Sequence, residues 1–205
     1  MVKNGKCFVK RGCPFARPYV EKTDVAGRKM SCWLWNETLE LAEDYIGFCS
    51  GIQRTPPSES AVAMRHLAKE LEQQHSSKFQ SLSQTFLGSC GSDPSSSLRG
   101  VMEELVGDGK LNWGRVVSLF TFTGVLVTKL YTREGGRDCC QRLAHTIADY
   151  LGQEKRDWLV ENEGWEGFCK FSRAAREVNH ESSMKTALFA AAGVGIAGLT
   201  FLLVR

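Results

Sequence analysis

Between Val116 and Leu130 the chain runs fifteen residues, VVSLFTFTGVLVTKL, with no charge before Lys129. A stretch this long, apolar on every side, reads as a helix buried all round in a core, and the remaining chain must supply the surfaces that cover it. Asn112 suits its N-cap, because the side-chain oxygen can accept from a backbone N–H of the first turn. Arg115 then falls in that first turn, where the helix dipole disfavours a cation by roughly 0.3–1 kcal/mol. A fixed positive charge at the mouth of a buried helix points to a use outside the fold, and the expectation is that it meets an acidic group on a partner. Gly114, directly after Trp113, has no side chain and lets another backbone approach closely at Arg115.

The covering surfaces are legible as amphipathic helices. Leu34, Thr38, Leu41, Ala42, Tyr45, Ile46 and Cys49 recur at spacings of three and four, with Glu37, Glu40, Glu43 and Asp44 on the other side. Gly51 ends this helix and Pro56-Pro57 makes a short stiff connection. A second helical stretch starts near Ser58 or Ser60 and reaches about Phe86, with Ser76-Ser77 marking a break into two. Gly88 to Ser97 reads as a loop, Leu98 to Val106 as a short helix, and Gly107-Asp108-Gly109 as its close. After the central helix, Leu143, Ala144, Ile147, Ala148 and Leu151 mark another amphipathic helix ended at Gly152. Trp158-Leu159 opens a short turn, and Gly164-Trp165 starts a last helix to about Val178. No strand-like alternation is present, so the fold class is all-α. Trp113, Trp158 and Trp165 stand at helix starts or junctions, where they bury area and pin helix ends together.

Charge divides unevenly along the chain. Residues 1–29 hold eight Lys/Arg against two acids, whereas the rest holds 18 against 21, so the body is mildly acidic and lacks the basic face of a nucleic-acid-binding domain. Residues 1–29 carry Pro14 and Pro18, show no apolar period and read as a disordered extension; their charge leaves a mitochondrial presequence as the alternative. The patterned domain spans 30–184, and Met30 offers an internal start. Thr186 to Val204 is 19 residues without a charge between Lys185 and Arg205. At helical rise that is roughly 28 Å, close to the hydrocarbon thickness of a bilayer, and residues 185–205 read as a C-terminal membrane anchor that leaves the body in the cytosol. The pairs Ala191/Gly195 and Gly193/Ala197 would allow close helix approach within the bilayer.

Enzymatic readings find no support. Gly193-Val194-Gly195-Ile196-Ala197-Gly198 matches a dinucleotide fingerprint by letter, but no strand precedes it and it lies in the proposed anchor. His66, His75, His145 and His180 occur singly, and Cys139-Cys140 with His145 has no second half, so neither a metal nor a cofactor is expected. Eight scattered cysteines without a CxxC pair, in a chain lacking a secretory h-region, fit reduced thiols in a cytosol-facing protein; the Asn36-Glu37-Thr38 sequon then has no use.

Two motifs carry a resemblance. The stretch from Leu105 to Phe122, LVGDGKLNWGRVVSLFTF, resembles the first homology region of the Bcl-2 apoptosis regulators. Trp158 to Phe168, WLVENEGWEGF, is similar to the second, with Glu163 where the family often has glycine. Met64 to Leu71 occupies the place of the third region, and Leu34 to Cys49 looks like the fourth. Together with the anchor the resemblance spans Met30 to Arg205, and the short Pro56-Pro57 connection with the GDG-x-x-NWGR form is most similar to the Bcl-2-like protein 10 branch. It implies a helical bundle with two central apolar helices and a surface groove that takes the amphipathic death-motif helix of a pro-apoptotic partner. By position, the groove lining would be Leu71, His75, Phe79, Leu82, Val101, Leu105, Val117, Ser118 and Phe122. Arg115 would pair with the partner's aspartate, Asn112 would hydrogen-bond beside it, and Gly114 would give clearance.

The third region usually carries Gly-Asp, and here the pair is Ala68-Lys69. Lys69 reverses the charge a killer needs when its own helix enters another groove, so the resemblance implies a receiver of such helices and a survival function. Tail-anchoring would place it on the mitochondrial outer membrane or the endoplasmic reticulum, with the lipid bilayer as a partner. Two other roles are open on the same fold: a pore-forming killer, and a membrane-tethered adaptor acting on calcium-release channels.

Overall fold

The computed structural model describes residues 33–91, 93–106, 111–132 and 135–177. The expected extension over 1–29, the Gly107-Asp108-Gly109 close and the anchor over 186–204 lie outside the described residues. Among those described, every regular element is helical. The order is α1 (Trp33–Cys49), α2 (Glu59–Gln74), α3 (Ser76–Ser89), α4 (Pro94–Leu105), α5 (Trp113–Leu130), α6 (Gly136–Asp149), a π-helical turn (Tyr150–Glu154), α7 (Arg156–Glu161) and α8 (Gly164–Glu177). No described helix is long and apolar enough to cross a membrane.

Helix α5 is the axis. All its residues but Trp113, Thr128 and Lys129 are buried, as the apolar run requires. It packs against α1, α2, α3 and α6, while α8 lies on α2, and α4 on α6. The expected pair of central apolar helices is met by α5 alone among the described residues: α6 buries Leu143, Ala144, Ile147 and Ala148 but exposes Arg137, Asp138, Arg142 and Asp149. The tryptophans act as expected. The Trp113 ring lies 4.7 Å from that of Trp158, 5.9 Å from Trp165 and 5.4 Å from Phe168, so α5, α7 and α8 meet in one aromatic cluster.

Four local expectations are corrected. The loop placed over Gly88–Ser97 is shorter, because α3 runs to Ser89 and α4 begins at Pro94. The Asp93 side chain caps α4 by accepting from Ser95 N–H at 3.2 Å, and Pro94 fills a first-turn position that needs no donor. Gly152 does not end the helix; it sits inside the π-helical turn, where an added Cβ would lie 2.7 Å from Trp35 Cα, so its missing side chain admits the α1 backbone. The segment after Trp158 is a helix, α7, opening two residues earlier. Asp44, assigned by periodicity to the outer face of α1, is fully buried. Arg65 holds it bidentately at 2.6 and 2.8 Å, and Arg54 adds a third contact at 3.2 Å, so the carboxylate is neutralised where it is buried.

Close packing of α1 on α5 also fixes the titration of the core. At Gly124 a Cβ would fall 2.8 Å from both Cys49 Sγ and Tyr45 Oη, so the absent side chain is what lets these groups reach α5. Burial there pushes the Tyr45 phenol well above its usual range and the Cys49 thiol up to about 12, and burial pushes Cys140 up to about 11. Folded values above unfolded ones mean that the folded state keeps protons the unfolded chain would release. The associated stability is complete below the ordinary thiol value of 9.0 and is lost as pH rises towards 11–12. Urea midpoints should therefore hold through neutral pH and fall steadily above pH 9, and Cys49→Ser should flatten that fall.

Candidate functional site

The site is built at the amino terminus of α5. Asn112, with extended backbone (φ −151°, ψ 164°), accepts Arg115 N–H on Oδ1 at 2.9 Å, which is the predicted N-cap. This bond fixes where the first turn begins and therefore where Arg115 emerges. The Gly114 carbonyl accepts the Ser118 hydroxyl at 2.9 Å, satisfying a polar side chain that is fully buried. Arg115 itself is 5% exposed, so its charge is withdrawn from water in the free chain.

The residues expected to line the groove come from four elements: Leu71 from the end of α2, Phe79 and Leu82 from α3, Val101 and Leu105 from α4, and Val117, Ser118 and Phe122 from α5. All of the apolar ones join a single core cluster. None of these eight exceeds 4% exposure, so the candidate lining forms a closed seam between α5 and the α2–α4 side. His75 differs: it is half-buried at the joint that ends α2 and starts α3, and its backbone N–H donates to the Leu71 carbonyl at 3.1 Å. Partial burial, with Lys78 nearby, holds its imidazole below the usual histidine range, which keeps the ring neutral at pH 7. Asn112 is half-buried at one end of the seam and has already committed its oxygen to the cap.

The seam includes a residue missed from the sequence. Phe86 is 1% exposed and meets the Phe122 ring edge-on at 5.5 Å. Its signal was present, since Phe79, Leu82 and Phe86 follow the three-and-four spacing of one helix face. Lys69 stands exposed on α2, whereas its neighbour Ala68 is fully buried and its carbonyl accepts from the Thr121 hydroxyl at 3.4 Å. Glu163 has φ 60°, a left-handed conformation that costs an ordinary residue roughly 1–2 kcal/mol and suits glycine. That is the physical sense of a glycine at this point of the second homology region. No group of three or more His, Cys, Asp or Glu gathers to hold a metal among the described residues.

Comparison with known proteins agrees with this geometry. The family model described as apoptosis regulator proteins of the Bcl-2 family matches residues 64–165, from Met64 in α2 to Trp165 in α8. The chain is 39% identical over 173 residues to the anti-apoptotic protein NR13 of Gallus gallus, covering 83% of this chain and 97% of that one. It is 34% identical over 161 residues to Bcl-2-like protein 10 of Homo sapiens, covering 65% of this chain and 74% of that one. Among solved structures, it resembles the zebrafish pro-survival protein NRZ in complex with the Bad BH3 segment, with a TM-score of 0.66 and 69% identity over 69% of this chain and 96% of that one. The same zebrafish protein without the segment aligns with a TM-score of 0.65 and 69% identity over 71% of this chain. Homology regions in order, an all-helical fold around α5 and relatives of this identity and coverage have one meaning: the chain belongs to the Bcl-2 family of apoptosis regulators.

Proposed function

We propose that this chain is an anti-apoptotic regulator that captures the BH3 helices of pro-apoptotic partners such as Bad in the seam between α5 and α2–α4. The observation that carries the reading is the 69% identity to a pro-survival protein whose solved structure holds a Bad BH3 segment. Capture is a helix-in-groove event: the apolar face of the partner replaces contacts along Leu71, Phe79, Leu82, Val101, Leu105, Val117 and Phe122, and its aspartate meets Arg115. Because the seam is closed in the free chain, one wall has to move. Helix α3 is suited to that, being serine- and glutamine-rich with only Phe79, Leu82, Ser83 and Phe86 buried. Lys69 supports survival over killing, since a cation at that point of α2 repels the arginine of another member's groove.

The finer reading is a tail-anchored protein, with residues 186–204 in the mitochondrial outer or endoplasmic reticulum membrane and the body in the cytosol. Its basis is the uncharged length of that segment. The test is calorimetric titration of the full chain in detergent micelles with a panel of BH3 peptides, alongside leakage of dye from liposomes that carry the chain. Saturable one-to-one binding without leakage is expected. Leakage from liposomes by the chain alone, with no BH3 affinity, would replace this reading by the pore-forming one.

A further inference from the structure

The connection from α1 to α2 frames a second surface, lined by none of the residues assigned to the groove. Phe48, Ile52, Arg54, Pro56 and Arg65 border an open cleft of about 740 Å³. Its apolar side is exposed, with Phe48 at 38% and Ile52 at 47% exposure. Its polar side holds two guanidiniums with different commitments. Arg65 spends Nε and Nη2 on Asp44 and donates from Nη1 to the Arg54 carbonyl at 3.2 Å, with its guanidinium 4.8 Å above the Phe48 ring. The single charge of Asp44 is thereby matched in bidentate geometry by Arg65 alone.

Arg54 is the surplus. Only its Nε is engaged, on Asp44 Oδ1 at 3.2 Å, and its side chain is 41% exposed. Among the described residues neither terminal nitrogen makes a hydrogen bond. Glu43 feels its field, but less than that of His145, and stands beyond ion-pair distance. A guanidinium held through Nε, on a side chain that lines the cleft and is 41% exposed, can take a carboxylate through two parallel N–H bonds from its terminal nitrogens.

We propose that this cleft docks an acidic segment of a partner protein, one glutamate or aspartate accepting from both terminal nitrogens of Arg54 while an adjacent leucine or aromatic side chain covers Phe48 and Ile52. The acidic group satisfies the charge and the apolar neighbour removes the bare surface from water. Docking here leaves the groove free, so the protein can hold two partners at once.

The test uses the full chain in detergent micelles and an array of labelled peptides, each with one Glu beside one Leu or Phe in a neutral Gly-Ser background, read by fluorescence anisotropy. Binding should weaken about tenfold or more when that Glu becomes Gln, and equally for Arg54→Ala. Arg54→Lys, which keeps the charge and loses the fork, should recover only part of the affinity, and Ile52→Ser should weaken binding independently. Asp44 keeps its bidentate partner in Arg54→Ala, and an unchanged thermal melt verifies the fold. A saturating BH3 peptide should leave array binding unaltered. The proposal is overturned by an array with no binder at millimolar concentration, by binding indifferent to Glu→Gln or Arg54→Ala, by complete displacement with millimolar inorganic phosphate, or by competition from the BH3 peptide.

Discussion

Arg115→Ala is expected to weaken capture of a BH3 helix by about 2–5 kcal/mol, a loss of roughly 30-fold to several thousand-fold, while the chain remains folded. The size follows from where the charge sits. The Asn112 cap fixes the first turn of α5, the helix dipole already disfavours a cation there, and Arg115 is 5% exposed. A partner carboxylate arriving at this point meets a guanidinium that water barely screens, so the pair forms at low dielectric and its removal leaves an aspartate stranded. Calorimetry of the two proteins against one BH3 peptide measures the loss. Exchanging the peptide's aspartate for asparagine should weaken binding to wild type but recover part of the affinity of Arg115→Ala, since it removes the charge that the missing arginine leaves stranded. Equal affinities for wild type and Arg115→Ala would remove the charge pair from the mechanism and the assigned orientation of the partner helix with it.

That residue was legible because two local rules converged on it. The apolar run after Val116 announced a buried helix, and Asn112 announced its start, so Arg115 stood out as a cation in the wrong turn. The lining of the seam was legible in a weaker sense. Three-and-four spacing finds only the inward face of a helix, and it was the resemblance, carried over by position, that assigned Leu71, Phe79, Leu82 and Leu105 to a groove. Spacing says nothing of whether two such faces stand apart as an open groove or close on each other, and here they close. Asp44 shows the opposite limit. Its place beside Glu43 makes it one more acid on a wet face, and only the return of the chain through Arg54 and Arg65 makes a buried carboxylate tolerable. The π-helical turn at Tyr150–Glu154 leaves no periodic signature either, and Gly152 looks like a stop until the α1 backbone is seen against it. Nor does the sequence order around Arg54 separate a committed guanidinium from a surplus one; that distinction lives in the geometry of donors.

Trp165→Ala is expected to destabilise the fold by about 3–5 kcal/mol, a large part of the roughly 5–15 kcal/mol that holds a domain together. Trp165 is 1% exposed in the first turn of α8. Its ring lies 5.9 Å from Trp113, 6.2 Å from Phe120 and 5.7 Å from Phe168, so one side chain joins α8 to the start and the middle of α5. Its Nε1–H donates to the Thr38 hydroxyl of α1 at 3.0 Å. Packing outweighs that hydrogen bond, because a net bond contributes about 0.5–1.5 kcal/mol and the Thr38 hydroxyl retains its own bond to the Leu34 carbonyl at 2.6 Å. Trp165→Phe, which keeps much of the ring area and loses the donor, should therefore recover most of the stability. Urea unfolding measures both changes, and BH3 affinity per folded molecule should stay within about threefold, since the rings Trp165 packs on, Trp113, Phe120 and Phe168, are not among the residues assigned to the seam. Should Trp165→Ala prove nearly neutral in stability yet costly in BH3 affinity, the second homology region would be a wall of the groove, and the closed seam along α3 would no longer be the place where a partner enters.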